Sequence, residues 1–254
     1  MHDFLETEPA LALGLASVLV IWLIGVGSDV WRRTRGRKPQ TRSPWWHWVV
    51  TVVMLWSLAA ISVWAWSASG RPVITLGFEL GQGWQNWVAW ALAIGFLAPQ
   101  ILQLVAINRS DDMKAQVRAL VFESRDYDTV MPRRRADVWG YQIVAVTAGI
   151  TEEIVFRAFL ISVFALWMPV WPAAGLALVL FLTAHAYQGV SGIVRILPVS
   201  VVLTLCYVLS GSLWPVIVLH VAVDVLSGVM VWLVLPRAGM IELPDRAPDA
   251  QPVG

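Results

Sequence analysis

A single cysteine, Cys206, stands in 254 residues, so the chain cannot close an internal disulfide or build a thiolate metal cluster. Its expected role is that of a small apolar residue inside a span. Charge is scarce too: 14% of residues are charged and 58% are hydrophobic, where a soluble domain carries about 25% charged residues. With a mean hydropathy of +0.67, this is the composition of an integral membrane protein. The net charge of +1 and the spread of the basic residues over separate loops give no basic face for nucleic acid. No internal repeat is visible, and H-E-x-x-H, the pair of histidines that marks a zinc metalloprotease helix, is missing. The first apolar run follows Asp3, Glu6 and Glu8 instead of a positive segment, and no A-x-A cleavage pattern comes after it, so it is expected to be retained as a span.

What the chain does have is apolar runs of spanning length, about 20 residues each, at roughly 9–27, 46–66, 86–107, 138–166, 172–187, 196–210 and 213–235. The expected fold is all-α, a polytopic transmembrane bundle of about seven helices, with residues 1–235 as one membrane-embedded domain and 236–254, rich in proline, as a disordered cytoplasmic tail. Loop 28–44, loop 108–136, Arg195, Arg237 and Arg246 hold 16 of the 18 Lys and Arg residues, against Arg71 on the other side and Arg157 within a span. By the positive-inside rule the N-terminus is expected outside and the C-terminus in the cytoplasm, in a cytoplasmic (inner) membrane. The tryptophans agree: Trp45, Trp46, Trp48 and Trp139 fall at inner ends, Trp64, Trp66, Trp84, Trp87, Trp167, Trp171 and Trp214 at outer ends, where indoles sit at headgroup level. In segment 108–136, Val117, Leu120, Val121 and Phe122 recur at near-helical spacing and predict an amphipathic helix.

Spans one to three contain no Asp, Glu, Lys or Arg, whereas the later spans hold Glu152, Glu153, Arg157, His185, His220 and Asp224. A charge facing lipid at mid-bilayer costs about 2.5–3.5 kcal/mol, so these residues must face protein or water, and residues 138–235 carry the site. On a helix Glu153 and Arg157, four apart, share a face and can pair, while Glu152 is turned about 100° away and is left without that partner. Phe181 lies one turn before His185 and can wall its ring. His220 and Asp224 share a face of span seven, where the carboxylate can accept from the imidazole or share a ligand with it. Such a set suits peptide hydrolysis, which needs a base beside a water and a donor or Lewis acid beside the developing oxyanion.

Three motifs in order, Glu152-Glu153-x-x-x-Arg157, Phe181-x-x-x-His185 and His220-x-x-x-Asp224, give residues 138–228 a resemblance to the CAAX-protease and bacteriocin-processing (CPBP, or Abi) intramembrane proteases, which include the type II CAAX prenyl endopeptidases. That resemblance implies an intramembrane endopeptidase acting on a membrane protein or peptide, in some cases lipidated. Glu152 would then be the general base, with His185 beside it, and Glu153 with Arg157 would hold the fourth helix in place. His220 and Asp224 would serve the oxyanion or help bind a divalent metal, zinc on His185, His220, Glu152 and Asp224 being the plausible set. Because an ionised Asp224 accepts only, the oxyanion donor would be His220, with Asp224 orienting it.

Depth poses a difficulty. At about 1.5 Å per residue Glu152 lies roughly 20 Å along span four from its inner end, yet His185 falls near the inner end of span five. They meet only if span five runs on through Val190 towards Arg195, or if span four begins before the membrane. Two other functions compete with hydrolysis by this set: a silent scaffold or carrier of the same fold, and a rhomboid-like serine protease using Gly189-Val190-Ser191-Gly192 with His220. The rhomboid alternative leaves Glu152, Glu153, Arg157 and His185 unexplained.

Overall fold

Among the residues that the computed structural model describes, 7–34, 45–122 and 132–237, all regular structure is helical. The order is α1 (Pro9–Thr34), α2 (Trp45–Ala68), α3 (Gly83–Arg109), α4 (Asp111–Phe122), α5 (Val138–Glu152), α6 (Val170–Ala184), α7 (Gly189–Ser210) and α8 (Leu213–Val234). The rod of α5 continues through a π-helical stretch (Glu153–Leu160) into a last α-turn (Ile161–Phe164). Among the described residues, five helices are long and apolar enough to cross a membrane, and α6 is a shorter apolar one. Large apolar side chains such as Leu23, Ile24, Val53, Ile94, Leu102 and Val179 point outwards, which suits a bundle immersed in lipid. The molecule is thus a multi-pass membrane protein. The expected tail lies almost wholly outside the described residues.

In lipid, helices gain little from hiding apolar surface, and they associate by close packing of small side chains. The interior follows this rule. Ala59, Ala65, Ala89, Ala93, Ala158, Ala173, Ala174 and Ala177 are all buried around Phe159, Leu160, Leu203 and Leu219. A close backbone approach joins α5 to α8 at Gly149. A Cβ there would lie 2.7 Å from the Val221 backbone nitrogen and 2.8 Å from its Cα, and backbone cannot move aside as a flexible side chain can. Glycine at 149 therefore sets how near α5 comes to the residue that follows His220.

The two ends of the bundle are built differently. At one end the linker after α2 is strapped across the α7–α8 turn, its carbonyls spent on hydrogen bonds from that turn. Tyr207 OH donates to the Leu76 carbonyl, Leu213 N–H to Gly77, Trp214 Nε1 to Phe78 and Ser212 Oγ to Glu79, at 3.3, 2.8, 3.0 and 2.8 Å. At the other end α4 packs Val121 and Phe122 against Ile107, Val138, Val231, Val234 and Leu235. Arg118 Nε and Arg135 Nε donate to the terminal carbonyls of α8, Val234 and Leu235, at 2.7 and 3.2 Å. The described part of the amphipathic segment, Asp111–Phe122, is thus a helix docked on the bundle, with Leu120 left exposed, and residues 123–131 lie outside the described residues.

Beside the strapped end Arg71 donates through both terminal nitrogens to Glu8, each bond 2.9 Å, tying the start of α1 to the end of α2. The Arg71 hydrogen bonds hold the Glu8 carboxyl below its ordinary value of 4.5. A carboxylate with a lowered folded-state pKa contributes in full above the ordinary value and loses its contribution as pH falls through the folded value. The gap in melting temperature between the wild type and Arg71→Gln should accordingly be present at pH 7, worth at most about 1 kcal/mol, and close on acidification below 4.5. A gap that persists in acid would assign the stabilisation to Arg71 packing on the Trp66 ring, 5.4 Å from its centroid.

Candidate active site

Glu152 ends the α-helical part of α5 and Glu153 begins the π-helical part. π-helical turns inside α-helices occur frequently at functional sites, where the wider turn re-aims side chains. Here the expected partition of the two carboxylates is only half of what is seen. Arg157 Nη1 does donate to Glu153 Oε1 at 2.8 Å, with both side chains buried. The same oxygen also accepts from His220 Nδ1 at 2.6 Å. Glu152 Oε2 is buried without a hydrogen-bond partner and lies 4.0 Å from the other nitrogen of that ring, His220 Nε2. Adjacent glutamates thus reach opposite nitrogens of one imidazole, because side chains of that length bridge the angle between successive helix positions.

Asp224 approaches the same ring. Its Oδ2 is 3.6 Å from His220 Nε2, the nitrogen that also faces Glu152, whereas the nitrogen behind is held by Glu153. Glu153 thus contacts His220 as well as pairing with Arg157, and Asp224 lies beside the Nε2 nitrogen.

His185 stands directly after the end of α6. That helix has 15 residues, about 22 Å at 1.5 Å per residue, and ends at Ala184. A 3₁₀ turn (Ala186–Gln188) follows, and α7 begins at Gly189, whose φ of +78° favours glycine. α6 does not continue through Val190, which leaves the alternative in which span four begins before the membrane. The Phe181 carbonyl, one of the last-turn carbonyls without a helical partner, accepts from His185 Nδ1 at 2.9 Å. A carbonyl only accepts, so Nδ1 carries the proton, and Nε2 faces Glu152 Oε2 at 3.9 Å.

Phe181 is the common wall. Its ring lies 4.5 Å from the His185 ring and 6.1 Å from that of His220. The Arg157 Cζ stands 4.2 Å from its centroid, and Phe156 meets it edge-on at 5.2 Å. Phe156, Gly149 and Tyr187, whose ring is 5.9 Å from that of His185, belong to the surroundings of the site but to no motif. Only their nearness in sequence to motif residues could have suggested them. The glycines of the Gly189-Val190-Ser191-Gly192 run have a local backbone use: Gly189 makes the turn, and a Cβ on Gly192 would fall 2.4 Å from Gln188 Cβ.

Three carboxylates share the cluster with one guanidinium, so it is neutral only when two further protons are held among its imidazoles and carboxylates. Two imidazoles and two carboxylates are also chemically a zinc set. Ligands about 2.0–2.2 Å from a tetrahedral zinc sit about 3.3–3.5 Å from one another, closer than the 3.9 and 4.0 Å between Glu152 and the two imidazoles. Among the described residues no group of three or more His, Cys, Asp or Glu has an arrangement that could hold a metal ion. The arrangement does not fit a metal, and no chemical step is drawn through one.

Comparison with curated proteins and with solved structures gives no match. A family model described as "Type II CAAX prenyl endopeptidase Rce1-like" matches residues 134–226, a stretch that contains Glu152, Glu153, Arg157, Phe181, His185, His220 and Asp224. The stretch of the chain that builds the cluster is thus similar to an Rce1-like domain, which is consistent with an intramembrane protease of the CPBP family.

Proposed function

We propose that this protein is an intramembrane endopeptidase that hydrolyses a peptide bond in a membrane-associated protein or peptide, using a water activated by Glu152 and His185. The observation that carries the proposal is the Glu152 carboxylate, buried without a hydrogen-bond partner and placed about 4 Å from the Nε2 atoms of both histidines. A water between Glu152 Oε2 and His185 Nε2 gives one hydrogen to each acceptor and turns a lone pair outwards. As that oxygen attacks the scissile carbonyl, its proton passes to Glu152. The C–N bond then breaks, and the same proton goes to the departing amine. His220, its Nδ1–H given to Glu153, offers a donor to the oxyanion from a protonated Nε2, and the neighbouring carboxylates balance that charge. Glu153, Arg157 and Phe181 position the imidazoles. Residues 1–235 serve as one membrane-embedded unit, with the N-terminus outside and the C-terminus in the cytoplasm.

The family description makes a farnesylated peptide of the CAAX form the first probe. Purified protein in nanodiscs is expected to release its C-terminal tripeptide. Asp224→Asn should keep or raise the rate, because the amide supplies an oxyanion donor that the carboxylate lacks, and chelators should leave it unchanged. One stoichiometric zinc whose removal abolishes cleavage, and whose return restores it, would overturn the metal-free mechanism.

The orientation is tested separately. A reporter fused after Leu80 should read external and one after Ala115 cytoplasmic. The opposite pattern would invert the topology.

A further inference from the structure

On α8 the polar residues do not stop at Asp224. At 3.6 residues per turn His220, Asp224 and Ser227 fall within about 60° of one another, so a polar stripe runs from the cluster towards the α4 end. There α3 packs on α8, and between them lies a cavity of about 110 Å³, with Gln100, Gln103 and Ser227 as its polar lining and Leu104, Leu226 and Met230 among its apolar lining. In a membrane such polar side chains are costly where they face lipid, and those that line a cavity mark candidate substrate paths. Gln100 Nε2 donates to the Phe96 carbonyl and Ser227 Oγ to that of Val223, which leaves the Gln100 oxygen and the whole Gln103 amide for a ligand.

The size and chemistry of the cavity select its occupant. It is smaller than the roughly 150 Å³ that takes one benzene, which suits a single apolar side chain. Its lining carries no charge, so a terminal carboxylate would find no counter-ion there. Carboxamides and a hydroxyl beside aliphatic groups match the N–H and C=O of an extended peptide and one apolar side chain. At the opposite end the 76–79 carbonyls are strapped over the α7–α8 turn, so the stripe and the cavity lie towards the end where α4 is docked.

We propose that the α3–α8 cavity is a substrate subsite, seating one apolar side chain and the adjoining backbone of the peptide on one side of the scissile bond, with Gln103 as its specificity-determining donor and acceptor. The subsite rests on the hydrolytic function above, and its test is a binding experiment, so the two can fail separately. All variants are made on Glu152→Gln in nanodiscs. Two fluorescent probes are used: a farnesylated peptide of the CAAX form with aliphatic central residues, and the same lipidated peptide cut after the cysteine. Gln103→Leu, at an exposed position on α3, should weaken binding of the full probe about tenfold. Leu104→Trp, which fills the cavity, should weaken it at least as much. The truncated probe should bind all three proteins equally. Unchanged affinity of the full probe in both variants, or an equal loss for both probes, would overturn the subsite. If wild-type protein cleaves nothing, the hydrolytic function fails, yet the same dissociation constants still decide whether the subsite exists.

Discussion

Arg157→Ala should reduce the yield of folded protein and its melting temperature as well as any activity, because it leaves a buried carboxylate short of its counter-charge. Arg157 is 1% exposed and Glu153 fully buried. Glu153 Oε1 accepts from Arg157 Nη1 and from His220 Nδ1, and its other oxygen has no partner. Breaking a buried pair by deleting one member costs about 3–5 kcal/mol, a large part of the total stability of a typical domain. The loss extends further, since the guanidinium also stands over the Phe181 ring and reaches towards the Ser200 carbonyl at 3.5 Å. Arg157→Lys keeps the charge without the planar fork and should fall between the two. Thermal unfolding in a fixed detergent, read with size exclusion, checks this. Normal folding of Arg157→Ala with activity alone lost would place Arg157 on the substrate.

Much of this geometry is legible because i,i+4 spacing on a helix is a contact rule. Glu153 with Arg157, Phe181 with His185 and His220 with Asp224 each obey it, and each pair meets. Lipid sharpens the signal, since ionisable residues confined to three spans must converge or face water. Sequence is silent on what depends on rotation and length. The π-helical stretch has no composition of its own, so the turning of both glutamates towards His220 is invisible until the helices are placed. The choice of ring nitrogen depends on the approach at Gly149, a contact between residues 72 positions apart. Where α6 ends is equally hidden, because an apolar run carries on through Ala184 towards the turn. Only Gly189 marks the stop, and one glycine fits a helix interior of a membrane protein as well as a turn. The docking of α4 was half legible: Val121 and Phe122 at the spacing of an amphipathic helix face the bundle, while Leu120, in the same pattern, does not.

Glu152→Gln carries the largest expected effect on chemistry. The amide has nearly the shape of the carboxylate but cannot take a proton from water, and a positioned general base contributes about 10²–10⁴-fold. Since Glu152 makes no hydrogen bond through Oε2, losing its charge removes no partner from the fold, so expression and melting temperature should stay close to wild type. Ser191→Ala is the matched control, the nucleophile that a serine mechanism would require. The most direct measurement is the rate of tripeptide release from one farnesylated CAAX-form peptide by wild type, Glu152→Gln and Ser191→Ala in the same nanodiscs. The account predicts that Glu152→Gln falls by at least about 10²-fold while Ser191→Ala cleaves as the wild type does. Retained cleavage in Glu152→Gln, with loss in Ser191→Ala, would contradict it.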